Sequence, residues 1–322
     1  MKTMKQNLYD CFLFNDEIEL LEIRLKLLEH VVDYFVIVQS KKTFTNKNSQ
    51  LFFPENADYI IGMKSKLIII TLDELEGKDA WARESFSRNS VSLGLSNAAI
   101  NDLIMISDID EIPNPDILEK IKLSRDQASE KTLVLDFFNF KFNYRLFSGL
   151  NNYWPGPVLD EYKNIKNIQQ LRERRWSNFE KSSNSVVLNA GWHFSFLTSN
   201  GDISKKLDNF SHQESRIQNR HRNVNDLINR REGFHDHIYP GSVWGVISLD
   251  SLKCSRLIVL IKKFPEFICN IIPDDEQSIN FKVRKSIINI VLNEKKKLLQ
   301  YYNYKELINE LLSRVLALII RR

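Results

Sequence analysis

Short apolar runs alternate with helix-periodic stretches through the first 113 residues. Leu8–Phe14 reads as a strand. Asn15-Asp16 follows as a cap, and Glu17–Glu29 places Ile18, Leu21, Leu25 and Leu28 on one helical face. Tyr34–Val38 and Lys66–Thr71 are two further strands. Asp79–Leu95 predicts a helix with Trp81, Phe86, Val91 and Leu93 as core positions and Gly94 near its end, and Asp102–Ser107 is a fourth strand. Strand, helix and strand at this spacing imply parallel βαβ units. Farther on, Pro115–Ile121 predicts a short helix. Thr132–Tyr144 alternates: Phe138, Phe140, Phe142 and Tyr144 share one face, while Asn139, Lys141, Asn143 and Arg145 share the other. That pattern predicts a half-buried strand with a polar stripe. Tyr153–Pro157 reads as a rigid aromatic loop, Arg172–Trp176 as a basic cluster, and Ser185–Asn189 as a strand before Ala190–Phe196. Gly201–Asn229 is polar and mostly helical, and from Ser251 the pattern is helical and basic.

The fourth strand ends abruptly in Ser107-Asp108-Ile109-Asp110-Glu111, and Pro113 with Pro115 blocks its extension. Three carboxylates therefore stand just past the carboxyl end of a buried strand, where open α/β sheets bind ligands. Asp108 and Asp110, two apart in extended chain, point the same way with Ile109 toward the core. Converging carboxylates repel unless a cation lies between them, and hard oxygen ligands suit Mg²⁺ or Mn²⁺ with positions left for water and phosphates. Such a site serves transfer from a nucleotide-linked donor, with a general base taking the acceptor's proton.

Composition narrows the partners. A 322-residue chain that is 43% hydrophobic and 27% charged is an ordinary globular protein of one large or two ordinary domains. The net charge of +4 is too mild to argue for nucleic acid. It is unevenly spread: residues 251–322 hold 14 Lys/Arg against 7 Asp/Glu. This basic surplus points to an anionic surface and divides the chain into a domain over 1–245 and a helical basic extension over 246–322. The three cysteines form no CxxC pair and fit a reducing compartment. No stretch reads as a signal peptide or a membrane span, and Leu311–Ile320 is suited only to lie on a membrane. The expectation is a cytoplasmic protein with peripheral contact at the inner face.

Several ordered blocks add a family. Tyr9–Phe12, Leu21–Leu25, Val32–Val38, Thr43–Thr45, Ser107–Pro113 and Gly191–Ser195 resemble glycosyltransferase family 17 over roughly Tyr9 to Asn229. That family contains the β-1,4-mannosyl-glycoprotein 4-β-N-acetylglucosaminyltransferases. The resemblance implies a GT-A-type fold, a UDP-sugar donor such as UDP-N-acetylglucosamine, a divalent cation, a glycan or lipid-linked glycan acceptor, and inversion at the anomeric carbon. Arg88-Asn89 is similar to the Arg-Asn pair of family 2 glycosyltransferases. Relatives usually carry Glu where this chain has Gln39, whose carbonyl accepts from a ring N–H without adding charge.

The candidate residues follow. Asp108 and Asp110 are metal ligands, Asp108 also a ribose–diphosphate contact. Glu111 either orients a metal-bound water or caps a helix. Arg88 either neutralises a donor phosphate or pairs with Glu84 along its helix. The resemblance places Glu17 beside the donor pocket, where the alternative is an acid favoured by the helix dipole. His193 or His212 completes the cation's coordination, as a late histidine does in GT-A enzymes; for His193 the alternative is a core histidine. Glu214, Asp136 and Asp160 are candidate bases. Lys205 or Lys206 would meet a phosphate only if not simply exposed, and His235-Asp236-His237 reads as a loop. Trp154 either stacks on an acceptor sugar or pins the proline loop. Two other functions share a DxD turn on such a fold: a haloacid-dehalogenase-like phosphatase with Asp108 as nucleophile, and a non-catalytic nucleotide- or glycan-binding protein.

Overall fold

The computed structural model describes residues 6–124, 130–148, 153–180, 185–198, 223–234, 242–283 and 285–286. Its strands are β1 (Leu8–Leu13), β2 (Tyr34–Ser40), β3 (Leu67–Leu72), β4 (Leu103–Asp108), β5 (Glu111–Pro113), β6 (Lys131–Asn139), β7 (Tyr144–Ser148), β8 (Tyr153–Glu161), β9 (Val186–Val187), β10 (Gly191–Ser195) and β11 (Val243–Val246). The helices are α1 (Ile18–Leu28), α2 (Asp58–Met63), α3 (Ala80–Asn89), α4 (Pro115–Leu123), α5 (Ile168–Glu180), α6 (Val224–Arg230) and α7 (Ser255–Ile261).

The strands form one mixed sheet in the order β11-β7-β6-β8-β4-β1-β2-β3, with β10 joining β6 and β5. β3, β2, β1 and β4 run parallel, and β8 pairs antiparallel with both β4 and β6. A parallel half fused to an antiparallel half is the GT-A-type arrangement. Strand periodicity sorts the core. Leu8, Asp10 and Phe12 of β1 face α1, whereas Tyr9 and Cys11 lie in the cluster with Val91, Leu95, Ile168 and Leu171 on the other side.

Four local expectations need correction. α1 is buried nearly all round, at Leu20, Leu21, Ile23, Leu25, Leu27 and Leu28, while Ile18 is exposed. The reason is α7, whose Leu257 and Ile261 join the same core. That core therefore continues past residue 246. The 79–95 helix stops at Asn89 and tightens into a 3₁₀ turn over Ser90–Leu95, leaving Trp81 50% and Leu93 67% exposed. Gly94 lies so close to β2 that a Cβ there would stand 2.6 Å from Val36 Cγ1. The 132–144 stretch is not one strand. β6 ends at Asn139, Phe140 turns at φ 66°, and Asn139, Lys141 and Asn143 are buried, the last two bonding carbonyls of residues 198, 247, 266 and 269. The 153–157 loop is the first half of β8. Its prolines are tolerated because β4 pairs only with residues 158–161, so Pro155 and Pro157 need no donor on that side.

Candidate active site

β4 delivers Asp108 to the carboxyl edge of the parallel half, and a two-residue turn through Ile109 and Asp110 leads into β5. Two buried arginines hold this corner, one from each face of the sheet. Arg24 of α1 grips Asp10 in a fork (Nε–Oδ2 2.8 Å, Nη2–Oδ1 2.6 Å) and donates to Ser107 Oγ at 2.5 Å. Its Nη1 donates to the carbonyls of Asp108, Ile109 and Glu111 at 2.9, 3.2 and 2.9 Å. Arg172 of α5 holds the side chains instead, donating to Asp108 Oδ2 at 2.8 Å, Glu111 Oε1 at 2.6 Å and the Gly156 carbonyl at 2.6 Å.

Arg88 of α3 donates to Asp108 Oδ1 at 3.1 Å, and also to Glu84 and Gln169. The pairing of Arg88 with Glu84 along its helix is present, and the same side chain also reaches the acidic corner. Burial by itself raises the Asp108 pKa, but Arg172, Arg88 and Arg175 outweigh it and hold the carboxyl well below the usual carboxylate range. The native state then binds fewer protons than the unfolded chain below about pH 4. The resulting stabilisation is complete above that pH and is lost as pH falls toward the lowered native value. Urea unfolding of Asp108→Asn between about pH 4 and 2 should therefore show a shallower pH slope than wild type. The difference is a fraction of a proton, because the side chain is 38% exposed and solvent screens it.

Glu111 is fully buried in β5 and caps no helix. It accepts from the Asp108 amide at 3.1 Å, Trp154 Nε1 at 2.6 Å, Arg172, and Arg175 at 3.2 Å. The turn separates Asp110 from Asp108: the Asp110 Oδ1 lies 3.5 Å from His193 Nε2. β10 brings His193 there by pairing antiparallel to β5, opposite Glu111. Gly191 starts that pairing at φ 150°, where a Cβ would meet the Ile112 carbonyl at 2.2 Å. The His193 ring packs 4.4 Å from Trp154 and 4.9 Å from Phe137. Trp154 is itself enclosed by Phe137, Trp176 and the Arg175 guanidinium, so it pins this wall of the site. Among the described residues no cluster of three His, Cys, Asp or Glu side chains is disposed to hold a metal.

Residues 1–235 match glycosyltransferase family 17. The chain belongs to this family. It is a glycosyltransferase, with a nucleotide-sugar donor and a glycan acceptor. Among solved structures, this family 17 chain is similar to S. aureus TarS 1–349, at 12% identity over 67% of this chain and 72% of that one, TM-score 0.31. It is also similar to the inositol-1-phosphate CTP transferase from T. maritima, at 10% identity over 82% and 98%, TM-score 0.29. Comparison with curated proteins yields no match.

The remaining candidates of this family 17 glycosyltransferase separate by position. Gln39, next to last in β2, donates from Nε2 to Thr71 Oγ1 at 3.0 Å and keeps a buried Oε1 with no hydrogen-bond partner among the described residues. Glu17 stands between β1 and α1 at the same carboxyl edge. Asp136 does not converge on the site. It is one residue out of phase with Phe137, leaves the opposite face of the sheet, and pairs with Arg145 at 2.6 Å. Asp160 lies opposite Ile104, at the far end of β4, bonded to Asn164. Glu214, His212, Lys205, Lys206 and His235–His237 lie outside the described residues.

Sequence reasoning marked Arg172–Trp176 as a basic cluster and Leu21–Leu25 as a block of resemblance but gave Arg24, Arg172 and Arg175 no role at the site. A signal existed for each: Arg24 sits four residues from both Leu20 and Leu28 on an apolar face, and Arg172 and Arg175 share one helical face at i, i+3.

Proposed function

We propose that this glycosyltransferase is inverting and divalent-cation-dependent, and moves N-acetylglucosamine from a UDP-sugar to a glycan hydroxyl. The observation that carries the reading is the Asp110–His193 pair at the carboxyl edge of β4. A carboxylate oxygen and an imidazole nitrogen suit Mn²⁺ or Mg²⁺. Adjacent ligands about 2.1 Å from an octahedral ion stand about 3 Å apart, near the 3.5 Å between Oδ1 and Nε2. The fit is to this pair; both oxygens of Asp108 already accept from guanidinium groups. A bound cation would neutralise charge on the departing diphosphate.

The chain's own residues supply the rest. Gln39 Oε1, buried and unpartnered among the described residues, is suited to accept from the N–H of a uracil ring. Asp108 fixes Arg88 and Arg172 beside the cation pair. Glu214 is the candidate base for the acceptor hydroxyl. No helix among the described residues is long and apolar enough to cross a membrane. The basic surplus after residue 250 supports peripheral contact with an anionic surface, as for a cytoplasmic enzyme acting on a lipid-linked glycan. Nothing in the geometry favours a phosphatase, since Asp108, its required nucleophile, is doubly paired to arginine.

UDP release from UDP-N-acetylglucosamine and other UDP-sugars, with Mn²⁺ and with EDTA, tests the proposal. Turnover should fall by about 100-fold or more in EDTA. Unchanged turnover in EDTA ends the cation assignment, and no release from any UDP-sugar ends the donor assignment.

A further inference from the structure

Arg175 is the least satisfied charge beside the acidic corner. Its 3.2 Å bond to Glu111 Oε1 is the single hydrogen bond that its five N–H groups make among the described residues. That oxygen already accepts from Arg172 and from Trp154 at 2.6 Å each. Arg172 pairs with Asp108 and Glu111, and Arg88 with Asp108 and Glu84, whereas among the described residues the ion pair of Arg175 is a share of Glu111, with Asp108 acting on it at longer range. Burial and the adjacent Arg172 charge push the Arg175 pKa down to about 10, so its cation is incompletely compensated.

Access distinguishes it too. The Arg175 side chain is 18% exposed against 3% for Arg172. The guanidinium lies 5.4 Å from the Trp154 ring and 5.6 Å from the Trp176 ring. Those rings restrict its rotation and leave its hydrogen-bond donors available. Trp154 in turn packs on His193, so the cation stands one ring away from the Asp110–His193 pair.

We infer that Arg175 receives the diphosphate of the nucleotide donor and stabilises it as the leaving group. The inference rests on the nucleotide-sugar reading of the same site. In the step it serves, the bond from the anomeric carbon to the β-phosphate oxygen breaks and its electron pair stays on that oxygen. The acceptor hydroxyl oxygen bonds the carbon from the opposite face, and its proton passes to a carboxylate base. Arg175 exchanges no proton. It donates hydrogen bonds to phosphate oxygens whose charge grows as the bond breaks.

The test is calorimetric binding of UDP and of uridine to wild type, Arg175→Gln and Arg175→Lys, with folding checked by circular dichroism. UDP binding by Arg175→Gln should weaken about 10- to 100-fold, with uridine binding unchanged within about twofold and Arg175→Lys intermediate. A purely structural role would weaken both ligands together, and that result overturns the inference. Unaltered UDP binding by a folded Arg175→Gln also overturns it and leaves the donor reading standing. If Arg175→Gln does not fold, Arg175→Lys decides: selective loss of UDP affinity supports the inference, and equal or no loss ends it. Wild type that binds neither ligand removes the donor reading, and the inference with it.

Discussion

Asp110→Asn lowers turnover by about 10²–10³-fold or more and leaves the fold intact. The substitution conserves volume, and the bond from Phe194 N–H to the Asp110 carbonyl at 2.9 Å does not involve the side chain. What it removes is the carboxylate charge facing His193 at 3.5 Å. UDP release at saturating donor and Mn²⁺ reads the effect, and the melting temperature should stay within about 2 °C of wild type. Asp110→Ala should do the same to activity. Turnover within tenfold of wild type in a folded variant would remove Asp110 from the chemistry.

Arg24→Met destabilises the protein by about 3–5 kcal/mol. The substitution keeps the stem that packs over Phe12, where the guanidinium carbon lies 4.5 Å from the ring centroid. It strands the Asp10 carboxylate, which has no exposed surface, and leaves three carbonyls of the acidic turn without their donor. Urea denaturation measures the loss; a change below about 1 kcal/mol would show that water or a neighbour replaces the guanidinium. Asp10→Leu combined with Arg24→Met should recover part of the stability, because an apolar pair no longer leaves a buried charge. Activity should not recover with it, since Arg24 is the group that holds the turn's backbone. Arg24 is in this sense a positioning residue: it touches no reacting atom.

The parallel half was legible because its signals are local. The apolar runs of β1 to β4 differ from the helix-periodic segments between them over only a few residues, and the acidic run directly after β4 marks the ligand edge of such a sheet. The ordered blocks of resemblance have a physical basis in the fold. Asp10 of the first block, Arg24 of the second and Ser107 of the fifth meet in one buried hydrogen-bonded group, and His193 of the last faces Asp110 of the fifth. The antiparallel half was harder to read. Alternation along 132–144 matched a half-buried strand, yet both faces are covered, one by segments more than 100 residues away such as Ile247 and Cys269.

By itself, the chain's order of residues determined the mixed α/β plan, the location of an acidic corner at its ligand edge and the family. Those properties depend on neighbours a few positions apart and on ordered blocks. Only the tertiary structure decided that Asp108 and Asp110 take different partners, arginines for one and His193 for the other. It also decided that Glu111 is a buried anchor and that Arg24, Arg172 and Arg175 converge on the corner from two helices. The reason is that a charge's role inside a protein is set by which opposite charge the fold brings within a few ångströms, and for Arg172 with Asp108 and Arg175 with Glu111 that partner lies 64 positions away along the chain.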